Sequence, residues 1–102
     1  MEAVDLPGFI VSRVLDVMIN EAVRCVMAGN DPRAVDEAMV LGCNLPMGPL
    51  ALADLMGIDV LLKVLERLQS GLGPGYEPAP LLREMVLQQK LGRKTGAGFY
   101  NY

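Results

Sequence analysis

Apolar positions recur with a helical period along this chain, and prolines and glycines cut the pattern into blocks. The longest block lies between Pro7-Gly8 and Gly29-Asn30, with no proline or glycine inside it. On a 100° wheel, Val11, Val14, Leu15, Met18, Ile19, Ala22, Cys25 and Val26 fill one unbroken apolar arc. Ser12, Arg13, Asp16, Asn20 and Arg24 fall opposite, together with Val17, Val23 and Met27. A helix here is roughly 30 Å long, enough to cross a small domain. Apolar on most of its circumference, it is expected to be central, or to face a partner as well as the core.

Four shorter blocks follow. Asp31 can cap a second helix that Pro32 opens, with a short apolar stripe of Ala34, Val35, Ala38 and Met39, with Arg33, Asp36 and Glu37 polar, and with an end at Gly42 near Cys43-Asn44. Leu45-Pro46-Met47-Gly48-Pro49 is a stiff turn, and Pro49 opens a third, apolar helix from about Leu50 to Met56, whose only charge is Asp54. After Gly57, Ile58, Leu61, Leu62, Leu65, Leu68 and Leu72 carry the stripe of a fourth helix to about Gly71, with Lys63, Glu66, Arg67 and Ser70 wet. Gly71 to Pro80 is rich in breakers and is expected to be extended and exposed apart from Tyr76. A fifth helix spans about Pro80 to Lys90, and Gly92 closes it. The tail holds Phe99, Tyr100 and Tyr102, three of the chain's five aromatics, so it is expected to be pinned to the bundle. Five helices and no convincing strand predict an all-α, five-helix bundle around the first helix, in one domain covering residues 1–102.

Composition narrows the chemistry. Hydrophobic residues make up 52%, which suits a packed core, and aromatics only 5%, so that core is aliphatic. A net charge of −3 disfavours nucleic acid and anionic membranes as partners. Arg13, Asp16, Glu21 and Arg24 interrupt the longest apolar run, so no membrane span is expected, and Met1 to Pro7 has no signal core. Cys25 and Cys43 lack metal-ligand spacing and read as reduced thiols of a cytoplasmic protein; no metal site is expected. The chain has no histidine, which argues against a self-contained hydrolase, zinc enzyme or dehydrogenase.

The local motifs leave alternatives open. Gly92-Arg93-Lys94-Thr95 lacks the earlier glycine and the strand of a phosphate-binding loop and reads as a basic turn. Ser12 has no histidine to activate it as a nucleophile, which leaves a hydrogen-bonding hydroxyl near a helix start. The Pro46–Pro49 turn is either a helix corner or a ligand wall. Asp16, Glu21, Asp54 and Asp59 form no acid–base pair and read as solvated or ion-paired groups.

Five segments in order carry a resemblance: Pro7-Gly-Phe-Ile-Val-Ser-Arg13, Asn20-Glu-Ala22, Pro46-Met-Gly-Pro49, Asp54-Leu-Met-Gly-Ile-Asp59 and Gly92-Arg-Lys-Thr-Gly-Ala-Gly-Phe-Tyr100. Together, from about Leu6 to Tyr102, they resemble the C-terminal domain of NAD-dependent 3-hydroxyacyl-CoA dehydrogenases, 3-hydroxybutyryl-CoA dehydrogenases among them. The resemblance implies a helical domain that follows a Rossmann-type NAD domain, closes the acyl-CoA cleft and forms a homodimer. It implies that the catalytic histidine and its glutamate lie upstream, so that this chain holds no catalytic residue, binds no NAD itself and is inactive alone. It makes Pro46, Met47, Gly48 and Pro49 a wall of the acyl pocket and places Ser12 at a substrate-holding position. Relatives commonly carry asparagine there. Serine keeps a donor and an acceptor but has a shorter reach, so the resemblance leaves two functions: an active acyl-CoA dehydrogenase domain, or a duplicated module used only for structure and dimerisation.

Overall fold

The computed structural model describes residues 7–102. The lead-in before Pro7, where no targeting segment is expected, lies outside them. Five helices stand in chain order, as the blocks predict. Helix α1 covers residues 7–27 in three pieces: an α-helical turn Pro7–Val11, a π-helical turn Ser12–Asp16 and a regular stretch Val17–Met27. Helices α2 (Pro32–Cys43), α3 (Pro49–Met56), α4 (Ile58–Leu72) and α5 (Pro80–Leu87) follow. Beyond two isolated bridges in the tail, the described residues contain no strand. Ile19, Ala22 and Val23 of α1, Leu50 and Ala53 of α3, Ile58, Leu61, Leu65 and Leu68 of α4, and Leu82 and Met85 of α5 form a single aliphatic core.

The orientation of α1 departs from the wheel. Asp16, Ile19, Asn20 and Val23 point inward, whereas Val11 is 55% and Val14 67% exposed and Cys25 is exposed. A π turn carries an extra residue per turn, so a constant 100° count loses phase across Ser12–Asp16. Of the three apolar residues expected among the polar ones, Val23 belongs to the core, Val17 is half-buried, and only Met27 is exposed.

Asn20 accounts for the new face. It is 2% exposed. Its Nδ2 donates to the Glu77 carbonyl at 2.9 Å, and its Oδ1 accepts the Ala79 N–H at 2.8 Å. The amide thus satisfies backbone groups of a segment that has no helix of its own. This corrects the expectation for the connector. Pro74–Tyr76 forms a 3-10 turn, and Pro78 and Ala79 are buried against α1.

The smaller differences lie at helix ends. Helix α2 passes through Gly42 and stops at Asn44, which takes the left-handed conformation at φ 54°. Helix α5 stops at Leu87, short of Lys90.

Three aspartates read as polar, solvated or ion-paired are buried instead: Asp16 in the π turn, and Asp36 and Asp54, which bind backbone. Asp36 of α2 accepts the N–H groups of Leu50 and Ala51 at 2.7 and 3.0 Å, capping α3 from another helix. Those donors have no partner within their own helix, and the carboxylate also meets the positive end of its dipole. Gly48 lies so close that an added Cβ would overlap the Asp36 side chain. Asp54, 1% exposed, accepts the N–H groups of Phe99 and Tyr100 at 2.9 and 3.0 Å and the Tyr102 hydroxyl at 2.7 Å. Here a Cβ on Gly98 would overlap the carboxylate. The Tyr100 hydroxyl reaches back to Asp36 at 2.6 Å, so one tail residue touches both carboxylates. Lys94 adds an ion pair with Asp59 at 2.5 Å, which holds that carboxyl below its ordinary value. The tail is pinned, as its aromatics predict, and Thr95 bonds only to neighbouring backbone, as a turn residue does.

Replacing Asn20 with leucine leaves the buried Ala79 N–H without an acceptor. We expect a loss of about 2–4 kcal/mol in urea denaturation, whereas the exposed Asn30→Leu should cost under about 1 kcal/mol.

Loss of hydration and the Asp54 carboxylate push the Tyr102 phenol up to about 12; burial and Asp36 raise Tyr100 further. Both phenols are neutral in the folded state at pH values where an unfolded tyrosine has ionised. Their contribution is therefore complete below about pH 10, the unfolded value, and is lost as pH rises through the folded value. Thermal melts should show stability falling between pH 10 and 12, with a shallower fall in Tyr102→Phe.

Candidate functional site

Ser12 lies half-buried at the first position of the π turn and lines a cavity of about 220 Å³. Phe9 shares the α1 side, and Val64, Arg67 and Leu68 supply the α4 side. The α4 residues follow i, i+3, i+4 spacing and so share one stripe of that helix. Leu68 is buried, Val64 half-buried and Arg67 exposed, so the stripe runs from floor to rim. The result is an apolar slot with one hydroxyl in its wall and one guanidinium at its mouth. Such a slot can hold a small, mostly apolar group and orient it by a hydrogen bond.

The Pro46–Pro49 turn sits elsewhere. Pro46 is exposed, Met47 half-buried, and Gly48 and Pro49 are buried beneath the Asp36 cap. None of the four lines the Ser12 cavity, so within this chain the two halves of the expected substrate wall stay separate. A wider, more open cavity of about 660 Å³ lies between the first turn of α2 and the tail; neither half lines it. Its charged residues, Asp31, Arg33 and Glu37, carry both signs. Among the described residues no group of three histidine, cysteine or acidic side chains could hold a metal, and no helix is long and apolar enough to cross a membrane.

Sequence pattern placed Arg67 on the wet face of α4 and Leu68 on its core stripe. It did not show that the two flank the Ser12 cavity. The signal available was Arg67 three positions after Val64 on a helix that packs against the π turn.

Asp16 closes the π turn four residues after Ser12. It is 3% exposed, and its carboxylate does not cap the turn that follows. Burial raises its pKa, because a charged carboxylate is disfavoured away from water. Folding therefore favours the protonated form. Its contribution is most favourable below the unfolded value and is lost as pH rises through the folded one. Asp16→Asn, uncharged at every pH, should be more stable than the parent in urea melts at pH 7. The gain should shrink as pH is lowered toward the ordinary carboxylate value of about 3.9.

The comparisons with known proteins agree with this architecture. The family model described as "3-hydroxyacyl-CoA dehydrogenase, C-terminal domain" matches residues 8–102. A Bacillus subtilis protein named "Probable 3-hydroxybutyryl-CoA dehydrogenase" is 55% identical over 104 residues, covering 100% of this chain and 36% of its own length. A 3-hydroxybutyryl-CoA dehydrogenase of Clostridioides difficile is 51% identical, over 94% of this chain and 35% of that protein. The crystal structure of (S)-3-hydroxybutyryl-CoA dehydrogenase from Ralstonia eutropha superposes with a TM-score of 0.91 at 52% identity, over 96% of this chain and 35% of the other. The chain thus spans about a third of the length of the relatives it matches. With its whole described fold and nearly all of its sequence matched, the chain belongs to the C-terminal domain family of the 3-hydroxyacyl-CoA dehydrogenases.

Proposed function

We propose that this chain is the substrate-closing part of a polypeptide that oxidises 3-hydroxyacyl-CoA to 3-oxoacyl-CoA, in fatty-acid or related acyl-CoA metabolism. The observation that carries this reading is the Ser12 cavity: an apolar slot with a hydroxyl in its wall, beside the point where the chain enters the domain, in a member of this family. Relatives almost three times as long support a further domain upstream.

The residues of this chain do not fit NAD. No strand leads into a glycine-rich turn and helix among the described residues, as a dinucleotide site requires. When bound by the upstream domain, NAD supplies the hydride acceptor. The chain has no histidine to take the hydroxyl proton, so that base also belongs upstream. What this chain contributes is position. Ser12 hydrogen-bonds an oxygen of the acyl group and Phe9, Val64 and Leu68 exclude water around it, while the separate Pro46–Pro49 turn, whose Pro46 and Met47 reach the surface over the buried Gly48 and Pro49, offers a second, stiff wall to the upstream domain. A stiff wall loses little entropy on binding. The exposed Ile10, Val11 and Val14 of α1 support a homodimer of the whole protein, in which a second copy covers them.

One observation favours the second reading, a duplicated module used only for dimerisation: Ser12 has a shorter reach than an amide. Kinetics separates the two. The full-length protein should reduce NAD with 3-hydroxybutyryl-CoA, and this chain alone should not. Ser12→Ala should lower kcat/KM roughly 5–30-fold, about 1–2 kcal/mol, with unchanged thermal stability. A full-length protein that folds, dimerises and gives no turnover is the dimerisation module.

A further inference from the structure

The Ser12 cavity has a feature that closing over an acyl chain does not require. Its mouth carries a cation. Arg67 lines the cavity, no carboxylate among the described residues lines it, and Arg67 makes no ion pair or hydrogen bond with any described residue. Its acidic neighbour Glu66 is turned away, toward Arg83 at 3.6 Å. Five other cations are engaged: Arg24 with Glu21, Arg83 with Glu66, Lys94 with Asp59, Arg13 with the Tyr76 hydroxyl, and Arg93 over the Tyr102 ring, whereas Lys63 and Lys90 pair with no described residue and line neither cavity. Arg33, at the wider cavity, shares its walls with Asp31 and Glu37, whose charges offset its own. Among the described residues, Arg67 is the cation that lines an apolar cavity with no carboxylate beside it.

That placement has a physical consequence. The Arg67 side chain shares the cavity with the apolar Phe9, Val64 and Leu68, and a charge facing apolar walls is screened less on that side than toward bulk solvent. A guanidinium offers several donors in a fixed plane, matched to carboxylate or phosphate oxygens. Neutral acyl carbons gain nothing from it.

We infer that Arg67 is a specificity-determining residue of this site, recognising an anionic group on the thioester that occupies the Ser12 cavity. This rests on the assignment of that cavity to the acyl-CoA cleft. The anion has two possible sources with one chemistry, a carboxylate at the far end of the acyl chain or a phosphate of the CoA moiety.

Binding to the full-length protein, measured by titration calorimetry without NAD, tests this independently of turnover. Three probes separate the sources: 3-hydroxybutyryl-CoA, the 3-hydroxybutyryl thioester of pantetheine, which has no phosphate, and a pantetheine thioester of a 3-hydroxyacyl chain ending in a carboxylate. Arg67→Gln should weaken at least one of the two anionic probes about tenfold and leave the neutral pantetheine thioester within about twofold. Arg67→Lys should restore part of the loss. A loss confined to the CoA thioester identifies the phosphate, and a loss confined to the carboxylated probe identifies the acyl carboxylate. An equal loss for all three probes means that Arg67 supports the fold or the domain contact, and overturns the inference, as does no loss for any. Absent turnover with preserved, Arg67-dependent anion binding overturns the dehydrogenase reading alone.

Discussion

Two carboxylates turned away from water hold this domain in register. Asp36 caps α3 from α2, Asp54 binds the backbone of the C-terminal tail, and Tyr100 touches both. Buried ionised groups are tolerated only where hydrogen bonds replace water. Here those bonds come from backbone N–H groups that also need partners, two at a helix start and two in a tail without regular structure. Each carboxylate therefore satisfies donors that no neighbouring residue in sequence could satisfy. The glycines facing them, Gly48 and Gly98, follow from the same geometry, since a side chain at either place would occupy the carboxylate's volume.

The same economy recurs on α1. Asn20 ties an irregular connector to the helix by its backbone, and the helix turns its Asn20 face inward as a result. The rotation leaves Val11 and Val14 outside and sets Phe9 and Ser12 against α4. The π turn that begins at Ser12 gives the entering segment a phase of its own, so one continuous helix serves both core and cleft. The irregular turn borders the Ser12 cavity, and π turns are frequent at functional sites.

Around the cleft the charges are arranged by elimination. Ion pairs and ring contacts engage several of the cations, while Arg67 keeps its charge at the edge of an apolar slot. Placed in this way, a surface arginine lines a cavity without being buried.

The sequence alone determined the helices and their order, because each is bounded by proline, glycine or a capping aspartate and carries its own apolar stripe. Asp31 as a cap and the pinned aromatic tail were legible for the same reason: the cause lies within a few residues or in a plain excess of aromatics. The five segments of the resemblance, read in order, were enough to reach the family. What only the tertiary structure decided are the interactions whose partners lie far apart in the chain. Asp36 and Leu50, Asp54 and Tyr100, and Asn20 and Ala79 pair across 14, 46 and 59 positions. A periodic reading puts every aspartate and asparagine in water, since no local pattern announces a backbone donor arriving from another element. The Ser12 cavity is the same case. Phe9 and Ser12 were in view as part of a motif, but Val64 and Arg67 join them only because α4 packs across the π turn. Local propensity has no access to that contact.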